Sequence, residues 1–534
     1  MKIRKHTFFL KALLIFSVCV NAQTPKVATK WESSFNKNIQ EKTVYYDYLG
    51  GNEKSYFILT RKLSQNPNKY VYGIEKYDKE SLRPTDSKPL EEIGAISQIY
   101  RIENETYALI DEKPSRYSTK NDKYGFYKFD KDKMVFEPIT EQFASVDFKN
   151  FKDLYSSPDK SKILFVFKKE SEDKKEKDLY QFLLTDIRFD KLWEKTVTLP
   201  YIKDFAVGND ATAYAAFIDN HGKKKDRTGY EYVLAKISND NEKRFTVNMN
   251  DYLYNDCRIL TNNANKLLAV GYYSDKVNNE KTGSYFFSMN EVFDKAENIS
   301  YQEIPVKLLS LNHSKKKPYE RYEDYEFGKP LYGENGEIAI CAEENTCRTN
   351  KTTEYTYWNP GAISPSTSAD PHSTIASQHT TSSARNFYYD IYVFKIEGEQ
   401  LAWTKRVPKY QGNIESADII SGAPKLRDLL SYETFIAKDN VVVLFMDNIK
   451  ENMQNDENSE KIKMTYGTCQ MDGNLVSVTL DKEGKQKKEI VNTNALIKDK
   501  LDPELQKCFY ISNDQAIISA RKRTNCKMGV ISIK

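Results

Sequence analysis

Catalytic signatures are what this chain of 534 residues most lacks. It has no G-x-S-x-G elbow, no H-E-x-x-H helix, no Walker loop and no dinucleotide fingerprint, so the common hydrolase, zincin and nucleotide chemistries have no anchor. Histidine is scarce, with five in all. Beyond the first residues only His221, His313, His372 and His379 remain. Asp370, His372 and His379 share one segment, but no second ligand cluster accompanies them, so no metal and no cofactor is expected. Cysteine is also sparse, at seven. None falls in a C-x-x-C pair, which argues against a zinc site or a redox motif. A long apolar run is missing as well. Lys2, Arg4 and Lys5 lead into the short apolar stretch Phe8–Val20, and Val20-Asn21-Ala22 offers a cleavage site. Residues 1–22 therefore read as an export signal, and no later segment is long enough to span a bilayer.

Strong net charge is absent too. The formal charge of +4 loses Lys2, Arg4, Lys5 and Lys11 with the signal, which leaves zero for the mature chain. Nucleic-acid binding has no electrostatic footprint here. Basic runs such as Lys174–Lys177 interleave with acids and read as solvated loops.

What the chain does have is a unit of roughly 45–60 residues repeated eight times, each built of strands and polar turns. In Phe151–Pro200 a short strand meets the turn Ser157-Pro158-Asp159-Lys160, then the apolar run Lys162–Phe167. A charged loop follows, then strands at Leu179–Thr185 and Trp193–Leu199. Equivalent second strands recur at Ser55–Thr60, Thr106–Ile110, Ala213–Ile218, Leu267–Gly271, Glu337–Ala342, Val441–Phe445 and Gln515–Ala520. Four antiparallel strands per unit, A to D, predict an all-β propeller of eight blades, with seven as the alternative. Residues 23–534 form one domain in this scheme, with a long loop insertion at 342–386. The last unit supplies only three strands. Trp31 matches Trp193 and Trp403, both on D strands, so Thr29–Phe35 is expected to complete blade eight beside Met528–Ile533 and spare it an open edge.

Ser157-Pro158-Asp159 before an apolar strand resembles the WD40-like repeat of TolB-type propellers, and the mature chain looks like exported bacterial propeller proteins. It departs from true WD40 repeats, because no Trp-Asp pair ends the C strands. The resemblance implies a periplasmic or secreted interaction scaffold and transfers no functional residue.

Antiparallel connection puts A–B and C–D turns on one face of the disc, and B–C and D–A loops on the other. The second set holds the long segments, including Val306–Lys329, Ala342–Asn386, Lys409–Leu430 and Asp447–Asp472. That face, over blades five to seven, is where a protein or glycan partner is expected. Pro360–Arg385, rich in Ser, Thr, Pro and Ala, reads as a solvated insertion. Tyr272-Tyr273 and Tyr388-Tyr389 flank these loops, either as exposed pairs for stacking on a partner or as core packing. Cys341 with Cys347, and Cys469 with Cys526, are the candidate disulfides. Asp447, after the strand Val441–Phe445, reads as a turn former that could face the channel. The function expected is a non-catalytic scaffold; the alternative is a carbohydrate- or peptide-acting hydrolase or lyase with carboxylates at the central channel.

Overall fold

The computed structural model describes residues 25–32, 43–62, 71–90, 93–112, 123–139, 143, 145–169, 178–220, 230–248, 252–275, 281–304, 324–358, 375–415, 432–459, 462–465, 473–499, 501–522 and 525–534. Residues 1–22, where an export signal is expected, lie outside them. Among the described residues no helix is long and apolar enough to cross a membrane.

Apolar runs flanked by turn residues do form strands, and these assemble into eight antiparallel sheets arranged as a β-propeller. Seven blades follow the order A-B-C-D without a crossover. Blade 3, for example, runs Phe151–Ser156, Lys162–Lys169, Leu179–Asp186 and Lys191–Thr198. In the eighth sheet, Asp502–Ser512, Gln515–Lys522 and Asn525–Ile533 are followed by Val27–Trp31, paired antiparallel so that Trp31 faces Gly529. The paired strand begins two residues before the expected Thr29, and residues 33–35 lie outside the described part. A Cβ on Gly529 would lie 2.4 Å from the Trp31 ring, so only glycine admits the indole there.

Each blade buries both faces against its neighbours, which is why the B strands read as unbroken apolar runs. In blade 5, Tyr272 enters the core shared with blade 6, while Tyr273 enters the one shared with blade 4. The ring closes by packing: Tyr48, Ile58 and Tyr77 of blade 1 share a core with Phe509, Ile517 and Val530 of blade 8.

The short-turn face is stitched together by its own turn residues. Asp159 N–H donates to Asn209 Oδ1 at 3.1 Å, and Asn209 N–H donates to Asn265 Oδ1 at 2.7 Å. Further round, Asn335 Nδ2 donates to Asp439 Oδ1 at 2.9 Å, and Asn513 Nδ2 to the Tyr332 carbonyl at 2.7 Å. Only two of these residues use the left-handed backbone that Asn and Asp tolerate, Asn265 with φ of 63° and Asp439 with φ of 66°; in the turns of blades 3 and 4 the left-handed residues are Lys160 and Ala211. The Asn and Asp side chains serve as links between blades.

Blade 6 departs from the plan. Its B and C strands, Ile338–Trp358 and Ile375–Glu397, run 21 and 23 residues and stay paired from Ile338↔Ile396 to Trp358↔Ile375. The expected loop insertion at 342–386 is therefore mostly a two-stranded arm. Its Ser- and Thr-rich sequence, though unable to build a core, is compatible with ladder pairing because threonine favours the extended backbone.

Candidate functional site

Two charged regions stand out. The first surrounds the axis. The innermost A strands are bulged in six blades, with register shifts at Tyr45/Asp47, Ile96/Gln98, Phe151/Asp153, Ile202/Asp204, Tyr254/Cys257 and Glu504/Cys508. Blade 6 is interrupted instead, by Gly328-Lys329-Pro330 between Asp324–Phe327 and Leu331–Tyr332. A bulge re-aims side chains that a regular ladder would bury between sheets. A belt of charge lies at mid-height, four of its members on bulged strands and Glu433 on the regular A strand of blade 7. Asp47, Asp153, Asp204, Arg258 and Glu433 lie opposite Leu59, Val166, Ala216, Val270 and Leu444 in the middle of their B strands.

Neighbouring blades neutralise part of this belt. Arg101 Nη1 of blade 2 lies 2.9 Å from Asp47 Oδ1 of blade 1 and donates to the Tyr48 carbonyl at 3.1 Å. Arg258 Nη1 of blade 5 lies 3.1 Å from Asp204 of blade 4, while its Nη2 donates to the Phe327 carbonyl of blade 6 at 3.1 Å. Burial raises the Asp204 carboxyl to about 6, against the pull of Arg258. Glu433 is raised further, to about 8, by burial; the Tyr510 hydroxyl, 2.7 Å away, and Lys329 oppose the shift. At neutral pH Glu433 is thus largely a neutral acid. Lys329, in the interruption of the blade 6 A strand, is exposed. Its pKa is lowered by desolvation and by Arg101 and Arg258, with Asp153 and Asp47 opposing.

The second region sits at the root of the arm, between blades 6 and 7. The segment after blade 6 folds back and pairs Gln411–Glu415 with Ala384–Tyr388. It carries Lys409, fully buried, whose ammonium is bonded to Glu343 and lies 3.2 Å from Gln411 Oε1. Gln411 Nε2 donates to the Met446 carbonyl of blade 7 at 2.7 Å. Asp390 accepts from Arg406 Nε at 2.6 Å and from Lys409 N–H at 3.2 Å. Asp447 is buried as well. It holds Lys488 Nζ at 2.5 Å and Asn452 Nδ2 at 2.7 Å, so it is neither a free turn residue nor a channel group.

The four tyrosines proposed for stacking are all buried. Tyr272 and Tyr273 fill two different interblade cores, because consecutive strand residues point to opposite faces. Tyr389 stacks on Tyr410 with centroids 5.2 Å apart, and Lys409 lies 5.6 Å from the Tyr388 ring centre. They support the arm root rather than an exposed surface. The Cys341–Cys347 staple does not form. Cys341 is a free, buried thiol, and six residues of one strand separate it from Cys347, about 20 Å. Cys469 lies outside the described residues, so its pairing with Cys526 on the last strand does as well. His221, His313 and His372 are also outside them. His379 occupies a backbone position on the arm opposite Glu354. Among the described residues no group of His, Cys, Asp or Glu is placed to hold a metal ion.

The belt escaped sequence reasoning because its strands look unremarkable, as in FKDLYS. A faint signal existed. Asp47, Asp153 and Asp204 each stand five or six residues before the Asn or Asp of the A–B turn.

No protein-family model matches the chain, and no curated protein does. Among solved structures, the acylaminoacyl peptidase of Pyrococcus horikoshii is similar at 10% identity and a TM-score of 0.36, over 90% of this chain and 57% of that one. The polysaccharide lyase Uly1 is similar at 8% identity and a TM-score of 0.36, over 92% and 90%. The chain thus spans under three-fifths of the peptidase's length. Neither likeness transfers a residue or an activity.

Proposed function

We propose that this protein is an exported, non-catalytic binding scaffold that engages a protein partner through the arm of blade 6 and the long connections around it. One observation carries this reading: the arm continues about 30 Å beyond the last residues flanked by the rest of blade 6, and its root is locked by buried ion pairs. A paired ribbon held at a rigid base presents main-chain donors and acceptors along its edges, which suits an extended segment of another protein. The short-turn face, occupied by its own cross-links, offers less.

Of the belt carboxyls, Asp47 and Asp204 are engaged by arginines, while Asp153 and Glu433 are in no ion pair among the described residues. The catalytic alternative rests on those last two, since glycoside chemistry needs one free base and one protonated acid.

Replacing Thr349–Ala384 with a two-residue Asn-Gly turn tests the reading. The trimmed protein should keep the melting temperature of the parent but lose the partner that the intact protein recovers from an envelope fraction. Equal recovery by both forms would overturn it. Turnover of a polysaccharide panel that vanishes in Glu433→Gln would establish the alternative.

A further inference from the structure

A cavity of about 350 Å³ opens between blades 6 and 7, on the outer side of the ring. Strands C and D of blade 7, Gly473–Leu480 and Gln486–Ile490, line it with Val478 and Gln486. Pro408, just after the last strand of blade 6, forms a second side. The third side is the blade 7 connection beyond the short helix Ile449–Asn452, which contributes Met453, Gln454 and Asp456. Pro408 and Val478 are buried and apolar, whereas Gln454 and Asp456 are exposed and polar. The cavity is thus apolar at its inner end and polar at its mouth.

Its polar groups are held in place without being used up. Asp456 Oδ1 accepts from Asn458 N–H at 3.0 Å and from Ser459 Oγ at 3.1 Å, while Oδ2 has no partner among the described residues. Gln486 Nε2 donates to the Arg406 carbonyl at 2.6 Å, which leaves its Oε1 to accept. Gln454 makes no hydrogen bond among the described residues. The two lysines nearby already face carboxylates: Lys488 Nζ lies 2.5 Å from Asp447, and Lys487 Nζ 3.0 Å from Glu489. Both blades grip the connection. Arg406 Nη1 donates to the carbonyls of Glu457 at 3.1 Å and Ser459 at 3.0 Å, and Lys488 Nζ to that of Asn452 at 3.0 Å. Walls fixed in this way limit the entropy lost on binding.

We propose that this cavity binds one neutral sugar ring, its C–H face on Pro408, Met453 and Val478 and its hydroxyls bonded to Gln454, Asp456 and Gln486. Size, donor balance and charge select this class. Ligand pockets run to about 300–1,000 Å³, so this one suits a single ring. Its free groups are three acceptor oxygens and the Gln454 amide nitrogen. That set matches a ligand rich in O–H donors and disfavours phosphate or carboxylate, which only accept. Asp456 is the one carboxylate lining the cavity among the described residues, too few for a hard metal cation, which takes several oxygen ligands.

The cavity is separate from the arm, and its test uses the mature chain. Methyl glycosides of neutral hexoses, deoxyhexoses and N-acetylhexosamines are screened by saturation-transfer NMR, and binders are titrated. At least one should bind. Gln454→Ala and Asp456→Asn should each weaken binding about threefold to tenfold and leave the melting temperature unchanged, because Gln454 supports no other group and asparagine keeps the Oδ1 acceptor. If Asp456→Asn lowers the melting temperature, Gln454→Ala decides alone. The arm-trimmed protein should bind as the parent does. Binding by no glycoside would overturn the proposal, as would binding that survives both substitutions or vanishes with the arm. A methyl glucosaminide, with its ammonium, that binds more tightly than its N-acetyl form would overturn it too, by assigning the cavity to cations.

Discussion

The axial belt and the arm root are built from the same residue types, and their surroundings give them opposite roles. At the root, Lys409, Glu343, Asp390 and Asp447 are almost wholly withdrawn from water, and each carboxylate meets a cation or an amide. Such charges are committed: a buried pair contributes little net stability, but losing one member leaves an uncompensated charge. In the belt, Arg101, Asp47 and Arg258 retain about a quarter to a third of their exposure. The Arg101–Asp47 pair is screened by water, whereas Asp204 beside Arg258 is as buried as the root carboxylates. Solvent access separates structural charge from available charge.

The largest effect should come from breaking the root. Glu343→Ala, which strands the Lys409 ammonium, should cost about 3–5 kcal/mol in urea unfolding. Glu343→Leu combined with Lys409→Met should recover much of that loss; a double variant no better than the single would contradict the account. Next comes the outer strand of blade eight. Trp31→Ala removes an indole packed over Gly529 and should cost about 3 kcal/mol, read as a lower melting temperature.

A smaller effect concerns Glu32, a buried carboxyl raised to about 7 by desolvation, with Glu75 adding to the shift and Lys527, Arg83 and the Met528 backbone opposing it. The folded chain then holds a proton that the unfolded chain has released. Glu32's contribution is fully favourable below about 4.5, is lost as pH rises towards 7, and stays lost above that. Glu32→Gln should gain on the order of 1–3 kcal/mol over the parent at pH 8 and little at pH 4.5. A parallel pair of stability–pH curves would refute this. The smallest effect is expected in the belt. Lys329→Met should shift stability by no more than about 0.5 kcal/mol, because the residue is exposed and makes no ion pair among the described residues.

The sequence made the blades legible because a strand packed on both faces must be apolar throughout. Lys162–Lys169 and Asn440–Asn448 announce themselves in this way. The same fact misled the search for a binding surface. An adjacent tyrosine pair looks like an exposed platform only if one face of the strand meets water, and here neither face does. The arm was hidden because Ser and Thr serve loops and ladders equally well. The belt was hidden because a bulge depends on how two strands align, a property that one strand's residues do not carry.

Those bulges have a consequence for insertions and deletions. At Lys203, for example, one surplus residue lies between the pairs Ile202↔Phe217 and Asp204↔Ala216. Removing its codon would leave both pairings in register, so the blade should still fold. The strand would lose the bend that turns Asp204 towards Arg258, and with it one segment of the charged waist. Length variation of a single residue in the inner strands can thus alter the chemistry of the axis while the ring around it persists.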